Sequence, residues 1–208
     1  MVSLSISLQC MKSPDAIIIG AGIVGATAAL ALTNAGLNVL VIDRGPVAGG
    51  TTGAGEGNIL VSDKEPGPEL ILALYSRDLW FEIQDDVGDS FELEAKGGVV
   101  VARHDAAPLL EFAKHQRSAG IDAQEVASEE LRKLEPHLTH AITSGVFYPQ
   151  DSQCQPMLAA AQILRAVRER GGKVITSATV TEISSAFGRI TGVKTTAGNF
   201  SAPIVVNA

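Results

Sequence analysis

This 208-residue sequence predicts an α/β fold built on a parallel sheet, and three observations predict it. Two short apolar runs, Ala16 to Ile19 and Val39 to Ile42, flank an Ala-rich segment of helical composition, the βαβ pattern that places two strands side by side and parallel. A second helix-to-strand passage follows much later, from MLAAAQILRAVRER to Lys173–Thr176. Beyond it come short strand-like runs separated by Gly188 and Gly198, the mark of an antiparallel meander.

The first run feeds Gly20-x-Gly22-x-x-Gly25. In a strand-to-helix turn, the first of these glycines permits the tight turn. The second lets backbone approach a pyrophosphate, and the third lets helix and strand pack closely. Free N–H groups and the positive end of the helix then face the phosphates. The helix runs to Ala35, is stopped by Gly36, and the second strand ends in Asp43, 18 residues after Gly25. A carboxylate there hydrogen-bonds a ribose diol and repels a 2′-phosphate. Strand, turn, helix, strand and acid occur in the order that a Rossmann-like dinucleotide site requires, and Asp43 disfavours NADP.

Gly45 to Gly57 (GPVAGGTTGAGEG) holds six glycines. Each costs ordering entropy, so the loop suits backbone passing close to a flat ligand. Glu69 to Val87 has apolar residues at helical spacing, with Trp80 and Phe81 read as packing residues. Gly97 to Arg103 reads as a strand, Pro108 to Ala119 as a helix and Ser128 to Leu134 as a short helix. His137 and His140 have no partner cysteine or paired carboxylate nearby and read as surface residues, so no metal is expected. Gly145 to Pro156 reads as a strand-to-helix connector, with Pro156 in the first turn of the next helix and Gly171 at its end. The Arg165, Arg168 and Arg170 cluster suits that helix's C-terminal dipole. The final strand runs are Lys173 to Thr176, parallel, and then Ala178 to Ser184, Ile190 to Thr195 and Pro203 to Val206 as the meander.

Composition narrows the function classes. The chain is 46% hydrophobic and 19% charged, as soluble α/β proteins are. A net charge of −7 without any long basic run argues against a nucleic-acid surface. Glycines and Asn34 interrupt the apolar stretch from residue 15 to 42, so no transmembrane segment is expected. Met1 to Pro14 lacks a basic n-region and reads as a disordered leader. Cys10 and Cys154 define neither a disulfide framework nor a metal site, which fits a cytoplasmic location.

In the fingerprint IIIGAGIVGATAALAL, the loop TTGAGEGNI, the strand GGVVVAR and the segment from Asp151-x-x-x-x-Pro156 through Val180 to IVVNA, the sequence resembles the D-amino-acid oxidase superfamily of FAD-dependent oxidoreductases. Glycine oxidase, sarcosine oxidase and hydroxyproline dehydrogenase-like proteins belong to that superfamily, and the resemblance covers about Pro14 to Ala208. It implies a glutathione-reductase-like FAD-binding domain, formed by residues 15–62 and 145–208, and part of an α+β substrate domain at 63–144. It further implies that Gly20, Gly22, Ile23, Val24 and Gly25 meet the FAD pyrophosphate, Asp43 the adenosine ribose and Arg44 the adenine surroundings. Thr51 and Thr52 would touch the pyrophosphate or ribityl region. Gly57, Asn58 and Ile59 would present backbone to the isoalloxazine ring, and Val180 would offer backbone hydrogen bonds to adenine. The family more often has Glu where Asp43 stands. Ala54 occupies the place of a flavin-linked histidine found in dimethylglycine-dehydrogenase-like members, which implies noncovalent FAD.

The implied chemistry is oxidation of the C–N bond of a small amino or imino acid by hydride transfer to flavin, with water hydrolysing the imine. No catalytic side chain is assigned, since hydride transfer from a neutral amine requires no side-chain base. Family members continue past the VVNA strand, so the chain resembles roughly an N-terminal half, to be completed by a missing C-terminal half or a partner subunit. Two other readings stand beside this one. One is a noncatalytic FAD- or dinucleotide-binding fragment. The other is an FAD-dependent aromatic hydroxylase, which shares the fingerprint but fits the loop and the GGVVVAR strand less well.

Overall fold

The structure, a computed structural model, describes residues 13–88 and 90–208. The expected disordered leader lies outside the described residues except for Ser13 and Pro14, and so does Cys10. The elements run β1 (Ala16–Ile19), α1 (Ile23–Asn34), β2 (Val39–Ile42), α2 (Thr51–Ala54), β3 (Asn58–Ile59), α3 (Pro68–Val87), β4 (Gly98–Val101), α4 (Ala107–Ser118) and β5 (Gln124–Ala127). They continue with α5 (Ser128–Leu134), β6 (Ser144–Tyr148), β7 (Ser152–Gln153), α6 (Pro156–Glu169), β8 (Lys173–Ile175), β9 (Val180–Ala186), β10 (Arg189–Thr195), β11 (Gly198–Ser201) and β12 (Ile204–Asn207). The chain forms two compact units: residues up to Ala54 together with Ala159–Ala208, and Gly55–Leu158.

The first unit is built on a four-stranded parallel sheet of order β12-β1-β2-β8. Its central strands, AIII and VLVI, are almost wholly apolar because both faces are covered. The α1 helix buries Ala26, Ala29 and Leu30, and small side chains there allow a close helix–strand approach. A three-stranded antiparallel sheet, β11-β10-β9, packs Ala178, Val193 and Ala202 into one cluster with Ile17, Leu40 and Ile42 of the parallel sheet. Here the sequence expectation needs correcting. The third meander strand is β11, whereas Ile204–Asn207 leaves the meander and pairs in parallel with β1, Ala16 opposite Ile204. A short apolar run carries no label for its partner. The parallel sheet has an open edge at β1, and the run IVVN fills it.

The second unit holds a three-stranded antiparallel sheet, β4-β6-β5, and a two-stranded ladder of β3 and β7. Its apolar cluster gathers Val61, Leu70, Ala113, Ile121, Ala123, Val146 and Tyr148. The sequence reading took Gly145 to Pro156 for a strand-to-helix connector, and here the structure differs. Residues Ser144–Tyr148 are the central strand of this unit's sheet, hydrogen-bonded on both sides, and the unit extends from Gly55 to Leu158.

A buried polar network runs through the second unit. Gln116, with no exposed surface, accepts the Tyr148 hydroxyl at 2.8 Å on Oε1. Its Nε2 donates to the carbonyls of Val61 (3.2 Å), Ser62 (3.2 Å) and Lys64 (2.9 Å). Burial, and then the charge of Asp151, hold the Tyr148 phenol protonated to higher pH than usual, so it stays a donor. Replacing Tyr148 by Phe strands the Gln116 acceptor in the interior, and urea unfolding is expected to show a loss of about 1–2 kcal/mol. An unchanged midpoint would refute the network's contribution. Cys154 is free and buried, and burial pushes its thiol up to about 11, so it is an inert packing residue at neutral pH.

Candidate functional site

The parallel strands β1, β2, β8 and β12 end together at Ile19, Ile42, Ile175 and Asn207. From β1 the chain steps to β2 and β8 on one side, and β12 joins on the other. That reversal of strand order is where open α/β sheets form a crevice outside their carboxyl ends. A cavity of about 330 Å³ lies here, lined by Ile19, Gly20, Ile42, Asp43, Arg44, Ala178, Thr179, Val180, Asn207 and Ala208. Its size is at the small end of ligand pockets, enough for one moiety of a dinucleotide.

Each fingerprint glycine has its own physical reason. Gly20 turns the chain at a φ of +116°, and its N–H donates to the Ile42 carbonyl at 2.9 Å. A Cβ on Gly25 would lie 2.0 Å from the Gly20 carbonyl oxygen, so this glycine is demanded by helix–strand packing. Gly22 is different. It is extended, with φ −78° and ψ −176°, and a Cβ there would meet only Thr52, at 3.0 Å from Oγ1 and 4.0 Å from Cβ. Its conformation does not require glycine, and a Cβ would press only on the Thr52 hydroxyl, which would have to give by a few tenths of an ångström. Glycine leaves the backbone at the N-terminus of α1 open to close approach, the arrangement that suits a pyrophosphate.

Two contacts tie the surrounding loop to this turn. Thr52 Oγ1 accepts the Ile23 N–H at 2.9 Å, capping a helix whose own N-cap residue, Gly22, has no side chain. The Val24 amide follows in the same turn, ahead of the first intrahelical bond, and the Val24 side chain is exposed. Asp43 Oδ2 accepts the Ala21 N–H at 2.7 Å and Oδ1 accepts the Gly45 N–H at 2.7 Å. The carboxylate is thereby held in place at the cavity wall, and each oxygen keeps a further lone pair for a ribose hydroxyl. Nothing in the residue pattern announced that Asp43 also braces the glycine turn. Its short side chain, one methylene less than Glu, is the only clue.

Asp43, Arg44 and Val180, expected at the adenosine end, line one cavity together with Gly20, expected at the pyrophosphate. Gly22, Ile23, Val24, Gly25 and Thr52 gather at the N-terminus of α1, and Thr51 is exposed beside Thr52. Val180 opens β9, the edge strand of its sheet, whose outer backbone groups have no strand partner among the described residues. Thr179, Ala178 and Asn207 also line the cavity and escaped the sequence reading. Their signal was adjacency, Thr179 to Val180 and Asn207 to the last apolar run.

Gly57, Asn58 and Ile59 belong to the second unit. The Cys154 N–H donates to the Gly57 carbonyl at 2.9 Å, and a Cβ on Gly57 would lie 1.9 Å from the Cys154 oxygen. Close approach of β3 to the chain after β7 therefore accounts for this glycine without a ligand. Asn58 is exposed and pairs with Gln153, and Ile59 pairs with Ser152. Ser152 is 3% exposed, and its hydroxyl has no hydrogen-bond partner among the described residues. A buried hydroxyl left so costs about 1–3 kcal/mol. Among the described residues no group of three or more His, Cys, Asp or Glu is placed to hold a metal ion. No helix among them is long and apolar enough to cross a membrane.

The profile of a family described as FAD dependent oxidoreductase matches residues 15–208. Subunit A1 of the anaerobic glycerol-3-phosphate dehydrogenase of Haloferax volcanii is 29% identical over 202 residues, covering 93% of this chain and 33% of that protein. Glycine oxidase of Bacillus licheniformis is 27% identical over 188 residues, covering 86% of this chain and 49% of that protein. The crystal structure of glycine oxidase from Bacillus cereus superposes with a TM-score of 0.86 at 24% identity, over 95% of this chain and 55% of that one, a likeness of fold. The chain thus spans from a third to about half the length of these relatives.

Proposed function

Since the chain belongs to the family of FAD-dependent oxidoreductases, we propose that it forms the cofactor-binding part of a flavoenzyme that oxidises the C–N bond of a small amino or imino acid. The single observation that supports the cofactor site is the glycine at 22, whose extended backbone does not itself call for glycine and where an added Cβ would press on the Thr52 side chain alone, leaving the backbone open to a pyrophosphate. The amine substrate is supported by the likeness to glycine oxidase at 27% identity. Bound FAD supplies a hydride acceptor for the C–H bond beside the nitrogen.

The chain's own residues have separate tasks. The amides of Val24 and Gly25, with the dipole of α1, attract the pyrophosphate, Ile23 stands beside them with its N–H given to Thr52, and Gly20 and Gly22 let backbone come close. Thr52, already accepting the Ile23 N–H, keeps its own O–H to donate to a phosphate oxygen, with Thr51 beside it. Asp43 accepts from the ribose diol while Arg44 and the Val180 backbone receive the adenine. Ala54 has no nucleophile for a flavin linkage, so the cofactor is held noncovalently at this loop.

A second reading is favoured by the 29% identity to a glycerol-3-phosphate dehydrogenase subunit: oxidation of a C–O rather than a C–N bond. One experiment separates them. The protein saturated with FAD is mixed anaerobically with glycine, sarcosine, proline or glycerol 3-phosphate, and the flavin absorbance is followed. Bleaching by an amine supports the first reading and bleaching by glycerol 3-phosphate the second. Flavin that binds and is bleached by none supports a noncatalytic module. Acid precipitation is expected to release the flavin into the supernatant, and colour retained in the pellet would refute the noncovalent assignment.

A further inference from the structure

Ala21, between the first two glycines of the fingerprint, is gripped at both of its polar main-chain groups by residues remote in sequence. Asp43 Oδ2 accepts its N–H at 2.7 Å, and its carbonyl accepts the Ala48 N–H at 3.0 Å. Ala48 is 2% exposed and stands at a φ of +56°, a left-handed conformation that alanine adopts only where its surroundings hold it. Asp43 also starts the loop that leads there. Its Oδ1 accepts the Gly45 N–H two residues ahead at 2.7 Å, a side-chain turn that directs the chain toward Ala48 and then Thr52, the cap of α1. The main chain of Asp43 is engaged as well. Its N–H donates to the Ile175 carbonyl and its carbonyl accepts the Ala178 N–H, both at 2.9 Å, and Ala178, Thr179 and Val180 line the cavity with it. One residue thus joins the cavity to the glycine turn, and all these contacts lie within the first unit.

From this arrangement we infer that Asp43 is a positioning residue for the phosphates as well as an acceptor for the ribose: by holding the Ala21 and Gly45 amides it fixes the turn from which the amides of Val24 and Gly25 face a diphosphate. The inference rests on the proposal that the adenosine end of a dinucleotide fills this cavity. A charged acceptor on two N–H groups gives bonds that an apolar residue cannot replace. The Gly45 bond has a length requirement besides. It closes a ring from the side chain to the amide two residues on, which aspartate spans and glutamate, one methylene longer, does not. Glutamate at 43 keeps a carboxylate for the ribose and loses this part of the brace.

The test compares adenosine and ADP affinities, by ligand-detected NMR titration of the whole protein, in wild type, Asp43→Ala and Asp43→Glu. The readout is the ratio of the two affinities, the gain that the diphosphate adds to the nucleoside. In Asp43→Ala adenosine binding is expected to weaken and the ratio to fall about tenfold. Loss of a negative charge by itself favours the anionic ligand, so a lower ratio has the opposite sign to a charge effect. Asp43→Glu is expected to recover part of the adenosine affinity while the ratio stays low. Loss of the ribose contact alone, or a general loosening of the fold, lowers both affinities by one factor. An unchanged ratio in Asp43→Ala therefore overturns the inference, and so does a ratio restored by Asp43→Glu. Should Asp43→Ala not fold, Asp43→Glu decides by the same ratio. A wild-type protein that binds ADP no tighter than adenosine, or binds neither, overturns the cofactor-site proposal and this inference with it. A wild-type preference for ADP that survives in both variants removes the inference alone.

Discussion

Gly22→Val is expected to give a folded protein that does not retain FAD. At this position the backbone is extended, with φ −78° and ψ −176°, a conformation valine adopts readily. The added Cβ meets only the Thr52 side chain, so the fold should lose about 1 kcal/mol and the melting temperature roughly 2–4 °C. The cofactor has no such freedom. Its phosphates must reach the amides at the start of α1, and a branched side chain stands where they pass. FAD affinity is expected to drop about a hundredfold, near 3 kcal/mol. Fluorescence quenching of added FAD and circular dichroism on the same sample check both halves. Flavin content equal to wild type would count against the whole site assignment.

The opposite pattern is expected three residues later. In Gly25→Ala the new Cβ lies 2.0 Å from the Gly20 carbonyl oxygen and 2.9 Å from its carbon, both main-chain atoms that no rotamer change can clear. The helix must move off the strand or the turn must open. We expect a loss of about 3 kcal/mol or more, a fall of roughly 6–12 °C in melting temperature, and flavin loss that follows from the displaced turn. Thermal unfolding monitored without cofactor is the measurement. A melting point within a degree or two of wild type would show that the close helix–strand contact is absent. Together the two variants separate a glycine required by a ligand from one required by packing, although both belong to one motif.

Much of the first unit was legible because its signals are local. The runs Ala16–Ile19 and Val39–Ile42 are apolar throughout, the intervening helix is rich in alanine, and Asp43 closes the pattern. In the same way, the helices α3, α4, α5 and α6 were readable from apolar periodicity and from prolines in the first turn. The partner of Ile204–Asn207 was not readable, because strand pairing depends on which edge is open. Gln116 was invisible for a related reason. A glutamine in a helix reads as solvent-facing, and only the burial of Val61, Ser62 and Lys64 carbonyls around it gives it a role. Gly57 was assigned to a ligand from its glycine-rich loop and the family resemblance, while its contact with Cys154 supplies a packing reason.

By itself the sequence determined that this chain contains a strand–turn–helix–strand unit with a dinucleotide fingerprint and an acid at its end. Those features depend on residues within about thirty positions of one another. Only the tertiary structure decided which glycine of the fingerprint is demanded by close backbone packing, which strand completes the sheet beside β1, and that Asp43 and Asp151 each hold backbone amides far from their own position in the chain. These are matters of distance between segments remote in sequence, where a methyl group or a single N–H either finds room and a partner or does not.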